Sequence, residues 1–358
     1  MPSRIVFFPL RRPLMPIARR LLAVAALFAV AVVLSPAVVP AQEQESTPTG
    51  TLKAFLDADS KELATKLEVL QHAIYAVDQQ LVQVSFRQQH GDRIAMHRVL
   101  YPNRDNDLTP GFVFTPKDPE SRESKRPGLI MVHGGFHLSM DADFFPHIAR
   151  AVEEGFVVMF PEYRGSRGYG AEHYNAQDYG GKDVDDVLAA ADHLAARPEV
   201  DGSSLGILGI SRGGMLTLLA IAREPKKFKA AVDIVGLTDF LAYMAYKPES
   251  RRRAIADLPR FGGLPHENFK PYLDVSPLTH VDKMETPLLI LATTDDRIVP
   301  VELHTLRLID ALKARGKTFE AKIYERAPGG HGFFDGASPE ARDAQDRVFR
   351  FLKRHLVK

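Results

Sequence analysis

Leu205-Gly206-Ile207-Leu208-Gly209-Ile210-Ser211-Arg212-Gly213-Gly214 is an apolar run that ends in Gly-x-Ser-x-Gly-Gly, and Met215 to Ala222 continues as an apolar, helix-compatible segment. Strand, tight turn and helix in that order lift a serine hydroxyl above the edge of a sheet. Gly209 and Gly213 fall where a side chain would clash in so sharp a turn. The helix that follows aims its first N–H groups at the same point, where they can hold a developing negative charge. Taken alone, the motif fits a glycine-rich turn equally well, so its meaning depends on the surrounding chain.

Outward from that turn, strand-like and helix-like segments alternate. Strands are predicted at Gly128–His133, Phe156–Phe160, Leu205–Ile210, Ala230–Val235, Pro287–Ala292 and Ala321–Tyr324. Helices are predicted near Phe144–Glu154, Lys182–Ala196, Gly213–Arg223, Val301–Arg315 and Pro339–Leu356. The alternation predicts an α/β fold, a doubly wound, mostly parallel sheet of about eight strands covered on both faces. Runs at Leu81–Phe86, Ile94–Leu100 and Gly111–Thr115, separated by turn sequences at His90-Gly91-Asp92 and Asn103–Asp107, read as antiparallel strands opening that sheet. Residues 81–358 are therefore assigned to one domain. Within it, Gly236–Glu285 is read as a helical lid insertion overhanging the strand C-termini, where open sheets of this kind bind ligands. Its Arg251-Arg252-Arg253 run reads as a solvated helix face.

The first residues read as a targeting signal. Arg4, Arg11, Arg12, Arg19 and Arg20 form a basic start, no acid precedes Glu43, and Leu21 to Leu34 is uninterruptedly apolar. That run falls short of the ~20 residues a membrane span requires, and Val39-Pro40-Ala41 fits a cleavage site. Residues 1–41 are expected to be a signal peptide and the protein to be exported, periplasmic or secreted, with no stable membrane span after cleavage. An uncleaved anchor is the alternative. Residues 42–80 read as a polar tether followed by an amphipathic helix over Leu52–Gln80, which packs on the main domain or on a second subunit of a homo-oligomer. Without residues 1–41 the chain loses five arginines and no acid, so its formal charge falls from +1 to −4. A mildly acidic protein gives no reason to expect nucleic-acid binding. The absence of cysteine excludes disulfides, thiolate catalysis and Cys-ligated metals.

A serine hydroxyl attacks only when a base takes its proton and a third group orients that base. The Leu288–Ala292 strand runs into Asp295-Asp296, an acid pair just past a strand end, and His331 lies on the Gly-rich loop Gly329-Gly330-His331-Gly332. The order Ser, Asp, His is the one a strand–turn–helix serine of this kind requires. His133-Gly134-Gly135-Phe136 follows the first parallel strand, so the N–H of Gly135 and the N–H of Arg212 are the candidate oxyanion donors. His133 and His137 lack an evident third ligand, so neither metal nor cofactor is expected.

Together these pieces resemble the catalytic domain of the prolyl oligopeptidase family of α/β-hydrolases. The resemblance runs over roughly residues 110–358 through His133-Gly134-Gly135, Tyr163-Arg164-Gly165-Ser166-Arg167-Gly168-Tyr169-Gly170, Asp183-Val184-Asp185-Asp186-Val187, the Ser211 turn, Ser276-Pro277, Asp295 to Pro300 and Gly330-His331-Gly332-Phe333. It implies an α/β-hydrolase fold with Ser211 and His331 in a catalytic triad. It also implies Asp295 as the acid, because the family's aspartate precedes the position of Ile298 by three, with Asp296 as fallback. Arg297 matches a position that holds a substrate carbonyl in some members, a salt bridge being its alternative, and Phe136 is a further substrate-binding candidate. In this chain no β-propeller precedes Gly111, and Phe136 stands where peptidase members commonly carry proline. Both departures favour an esterase or small acyl-amide hydrolase acting on a small-molecule or short-peptide acyl substrate. An exopeptidase of acylaminoacyl type and a non-catalytic binding module are the alternatives.

Overall fold

Short apolar runs punctuated by glycine and proline build one eight-stranded sheet in the computed structural model, which describes residues 60–117, 125–135 and 137–357. The expected signal (1–41), the tether, the start of the Leu52–Gln80 helix, most of the charged loop around 118–124 and Phe136 lie outside the described residues. The strands are β1 (Ile94–Pro102), β2 (Leu108–Pro116), β3 (Arg126–Val132), β4 (Val157–Pro161), β5 (Val200–Ile210), β6 (Ala230–Ile234), β7 (Leu288–Thr293) and β8 (Phe319–Tyr324). Their order across the sheet is β1-β2-β4-β3-β5-β6-β7-β8. β1 and β2 pair antiparallel, β2 pairs antiparallel with β4, and every later pairing is parallel. Every residue of β4, β6 and β7 is buried. These strands read as continuous apolar runs because helices cover both of their faces. β8 is an edge strand paired on one side only, and exposed Glu320 and partly exposed Lys322 help keep that edge from pairing further.

The helices are α1 (Ser60–His90), α2 (Phe145–Glu153), α3 (Lys182–Ala195), α4 (Arg212–Arg223), α5 (Phe240–Tyr246), α6 (Glu249–Ala256), α7 (Thr305–Ala314) and α8 (Pro339–Leu356), with shorter turns between them. Val184 and Leu188 of α3, Leu216 of α4 and Leu308 of α7 fill one face of the sheet. Ile148 of α2, Val348 and Leu352 of α8 and Phe86 of α1 fill the other. The start of α8 is set locally, with Ser338 capping the N–H of Ala341 and Pro339 in the first turn.

One expectation fails. Leu81–Phe86 is the last part of α1, not a strand. Val82, Val84 and Phe86 alternate as a strand would, but Gln79 and Phe86 are both buried, and residues seven apart share a face only on a helix. α1 belongs to the same compact unit as the sheet.

Residues 236–285 form α5, α6 and several short turns between β6 and β7. They are anchored by stacked aromatics, Phe240 on Phe261 at 5.4 Å and Phe261 near Tyr272 at 4.5 Å. Asp239 caps α5 through the Ala242 N–H and pairs with Arg307 of α7.

Candidate active site

Ser211 follows the last residue of β5 and occupies φ 59°, ψ −119°, a backbone region that side chains avoid. Its N–H donates to Ile234 O of β6 (2.8 Å), which ties the turn to the neighbouring strand. The turn closes only because two residues lack side chains: a Cβ on Gly209 would stand 2.0 Å from the carbonyl oxygen of Gly213.

His331 comes from the loop after β8, and its Nε2 lies 2.8 Å from Ser211 Oγ. Its Nδ1 lies 2.7 Å from Asp296 Oδ2. An ionised carboxylate can only accept, so Nδ1 carries the proton and Nε2 is left as acceptor for the serine hydroxyl. The other oxygen, Asp296 Oδ1, accepts the N–H groups of Ile298 and Val299, both at 2.8 Å. The loops after β7 and β8 are stitched together as well, Thr293 Oγ1 accepting the Ala327 N–H and Thr294 Oγ1 the Arg326 N–H.

The acid beside His331 is therefore Asp296, and the expectation of Asp295 is corrected. Asp295 is exposed, while the Asp296 side chain is 1% exposed beneath the imidazole. In the turn after β7 the two backbone donors at Ile298 and Val299 capture the second aspartate. Arg297 is exposed and forms no salt bridge with a described acid, so the structural pairing considered for it is absent. Phe136 cannot be placed, since it lies outside the described residues.

Gly135 sits at φ +64° beside the serine turn, and a Cβ there would meet the Leu138 side chain at 2.5 Å. The Arg212 side chain is only 2% exposed despite its charge. Its guanidinium donates to Asp183 Oδ2 (2.6 Å) and Asp178 O (2.8 Å), and it lies 4.9 Å from the Tyr179 ring and 5.5 Å from that of Tyr163. Burial pushes the Asp183 carboxyl above its ordinary value, and the charge of Arg212 opposes that shift. The pair fixes the first turn of α4, which carries the Arg212 N–H.

The motifs at 163–170 and 183–187 brace the site from behind. Arg164 binds Asp186 through its N–H (2.9 Å), Nε (2.8 Å) and Nη2 (2.8 Å). His133 is buried, stacked on Tyr163 at 4.2 Å, with Nε2 2.9 Å from Ser166 Oγ and Nδ1 2.9 Å from Gly134 O. Burial lowers its pKa to about 3, so it stays neutral. Burial raises the neighbouring Glu162 to about 8, while its Oε1 accepts the Met140 N–H. The sequence marks these two stretches without assigning Asp183 or Asp186 a part, weighs His133 only in the His-Gly-Gly motif and as a metal partner of His137, and leaves Glu162 just outside them. A charged residue opening an otherwise apolar helix, as Arg212 does, was the available signal that a buried acid must face it.

Comparison with known proteins agrees with this geometry. The model of the "Prolyl oligopeptidase family" matches residues 142–358. A Bacillus subtilis (strain 168) protein described as uncharacterized peptidase YuxL is 31% identical over 253 residues, which is 68% of this chain and 36% of that protein. The acylamino-acid-releasing enzyme of Arabidopsis thaliana is 28% identical over 61% of this chain and 31% of its own length. An acylaminoacyl peptidase solved in complex with Z-Gly-Gly-Phe-chloromethyl ketone superposes with a TM-score of 0.65 at 25% identity, over 76% of this chain and 44% of that one. The chain thus spans about a third of the length of these curated relatives. All three bear peptidase or acylamino-acid-releasing names.

Proposed function

Because the chain belongs to the prolyl oligopeptidase family, we propose that it is a serine peptidase that releases acylated amino-terminal residues from short peptides. The observation that carries the serine-hydrolase part of this reading is the line of hydrogen bonds from Ser211 through His331 to Asp296 at the C-terminal edge of the parallel sheet, while the acylated amino terminus is proposed from the acylamino-acid-releasing relatives.

In the proposed reaction Ser211 Oγ attacks the scissile carbonyl carbon as His331 Nε2 takes its proton. Asp296 holds the imidazole in the tautomer that leaves Nε2 free and stabilises the cation that forms. The carbonyl oxygen, now negative, is held by the N–H groups of Gly135 and Arg212. His331 then protonates the leaving amine, leaving an acyl group on Ser211. Water gives a proton to His331 as it attacks this ester, and His331 passes that proton to Ser211 Oγ as the C–Oγ bond breaks and the acid product departs. The exposed Arg297 is a candidate donor to a substrate carbonyl. The basic and apolar pattern of residues 1–41 supports export as part of the same proposal.

A fluorophosphonate probe should label the protein and not its Ser211→Ala variant; persistent labelling removes Ser211 from the reaction. Beside it, acetyl-aminoacyl nitroanilides should be turned over with kcat/KM within tenfold of the matching acyl nitrophenyl esters. Turnover of the esters alone would return the assignment to an esterase.

A further inference from the structure

We propose that the outward face of α1 pairs with the same face of a second copy of this chain as a two-helix coiled coil. From Leu63 an apolar side chain recurs at intervals of 4, 3, 4, 3, 4 and 3 residues, through Leu67, Leu70, Ile74, Val77 and Leu81 to Val84. All seven are between 37% and 57% exposed. A domain-packed helix turns its apolar 3-and-4 stripe inward, whereas on α1 this stripe faces outward, with the spacing that forms the seam of two supercoiled helices.

The opposite face of α1 is already committed. With Leu63 at a d position, His72, Gln79 and Phe86 fall at f, directly away from the seam. Gln79 Nε2 donates to Ser139 Oγ (2.6 Å) and Met140 O (3.0 Å). Phe86 packs its ring against Phe145 (5.1 Å) and Phe114 (4.9 Å). The domain therefore holds α1 rigidly and displays the seam without rearrangement, so pairing costs no helix nucleation.

The surface of α1 suits a second copy better than other occupants. The period of the stripe is its own complement. A helix lying on a lipid surface carries a basic polar face, whereas here Glu62, Glu68 and Asp78 offset Lys66 and Arg87 beside the stripe. The seam spans three heptads, and at roughly 80 Å² per side chain the pair and its flanks hide on the order of 1,200 Å², the lower limit of specific interfaces. Such a dimer dissociates on dilution.

Sedimentation equilibrium of the purified protein from 1 to 100 µM tests this. Wild type should move from monomer towards twice the monomer mass. Leu67→Glu/Ile74→Glu should stay monomeric throughout, with an unchanged melting temperature under dilute conditions because both side chains are exposed. Val69→Glu, at a more exposed position off the seam, should dimerise like wild type. A wild type that remains monomeric at 100 µM overturns the proposal, and does so equally if it instead co-floats with anionic lipid vesicles. Dimerisation by the double variant, or dissociation by Val69→Glu to the same degree, also overturns it.

Discussion

Asp296→Asn is the sharpest test of the site, because the structure dictates how the new amide must sit. In the wild type Oδ1 receives two backbone N–H groups, from Ile298 and Val299. An asparagine there keeps its carbonyl oxygen on those donors, since turning it would leave two N–H groups facing an NH2. The amide nitrogen is thereby forced into the Oδ2 position, 2.7 Å from His331 Nδ1. An N–H donor at that point stabilises the tautomer with its proton on Nε2, which cannot accept the serine proton. Activity then depends on the minor tautomer without its compensating charge, and kcat should fall on the order of 10⁴-fold, equivalent to about 5.4 kcal/mol. Both turn hydrogen bonds survive, so the melting temperature should change little. Asp295→Asn, on an exposed neighbour, should change kcat less than twofold. The assay is steady-state hydrolysis of an acetyl-aminoacyl nitroanilide, with fluorophosphonate labelling rates beside it. A loss of under tenfold for Asp296→Asn, or of more than tenfold for Asp295→Asn, would refute the assignment.

Three further outcomes are expected. Arg212→Met strands the Asp183 carboxylate in the core, which should cost about 3–5 kcal/mol in urea unfolding, and adding Asp183→Leu should recover most of that loss. Ser211→Gly should be inactive yet about 1 kcal/mol more stable than Ser211→Ala, since glycine alone relaxes at φ 59°; equal stabilities would mean that the turn stores no strain. The third concerns pH. His133, lowered from 6.5 to about 3, binds fewer protons folded than unfolded, so its contribution makes stability rise from pH 3 to 6.5. Glu162, raised from 4.5 to about 8, keeps a proton that the unfolded chain has lost, so its contribution makes stability fall from pH 4.5 to 8. The two oppose each other between 4.5 and 6.5, and above 6.5 the decline from Glu162 stands without that opposition. Denaturant melts of Glu162→Gln at pH 6.5 and 8 should show a shallower decline than wild type, and an unchanged slope would contradict the shift.

Much of the architecture was legible because most of the parallel strands are short apolar runs followed by a helix-length segment, β8 with its Glu320 and Lys322 being the exception. The positions of Ser211 and His331 could be read for the same reason, since both sit where a strand ends in a glycine-rich turn. Asp296 could not be separated from Asp295 by pattern. Adjacent acids differ in which one the turn buries, and that is decided by backbone donors two and three residues later. The end of α1 was misread because Val82, Val84 and Phe86 satisfy a two-residue period locally, while the seven-residue relation of Gln79 to Phe86 shows only over a longer window. The Arg212–Asp183 and Arg164–Asp186 pairs join residues 29 and 22 positions apart. Sequence offers no rule for which buried charge meets which.

His331 hangs from the loop behind β8, the one strand of the parallel array with a neighbour on a single side. An edge strand can detach while the interior stays folded, because fewer hydrogen bonds must break to release it. The serine and its orienting turn are mounted on deeper layers and would survive such a detachment intact. On warming, catalytic power should therefore fade ahead of the bulk helical signal. The enzyme would fall silent through loss of its base and recover on cooling, with no need to rebuild the nucleophile's setting.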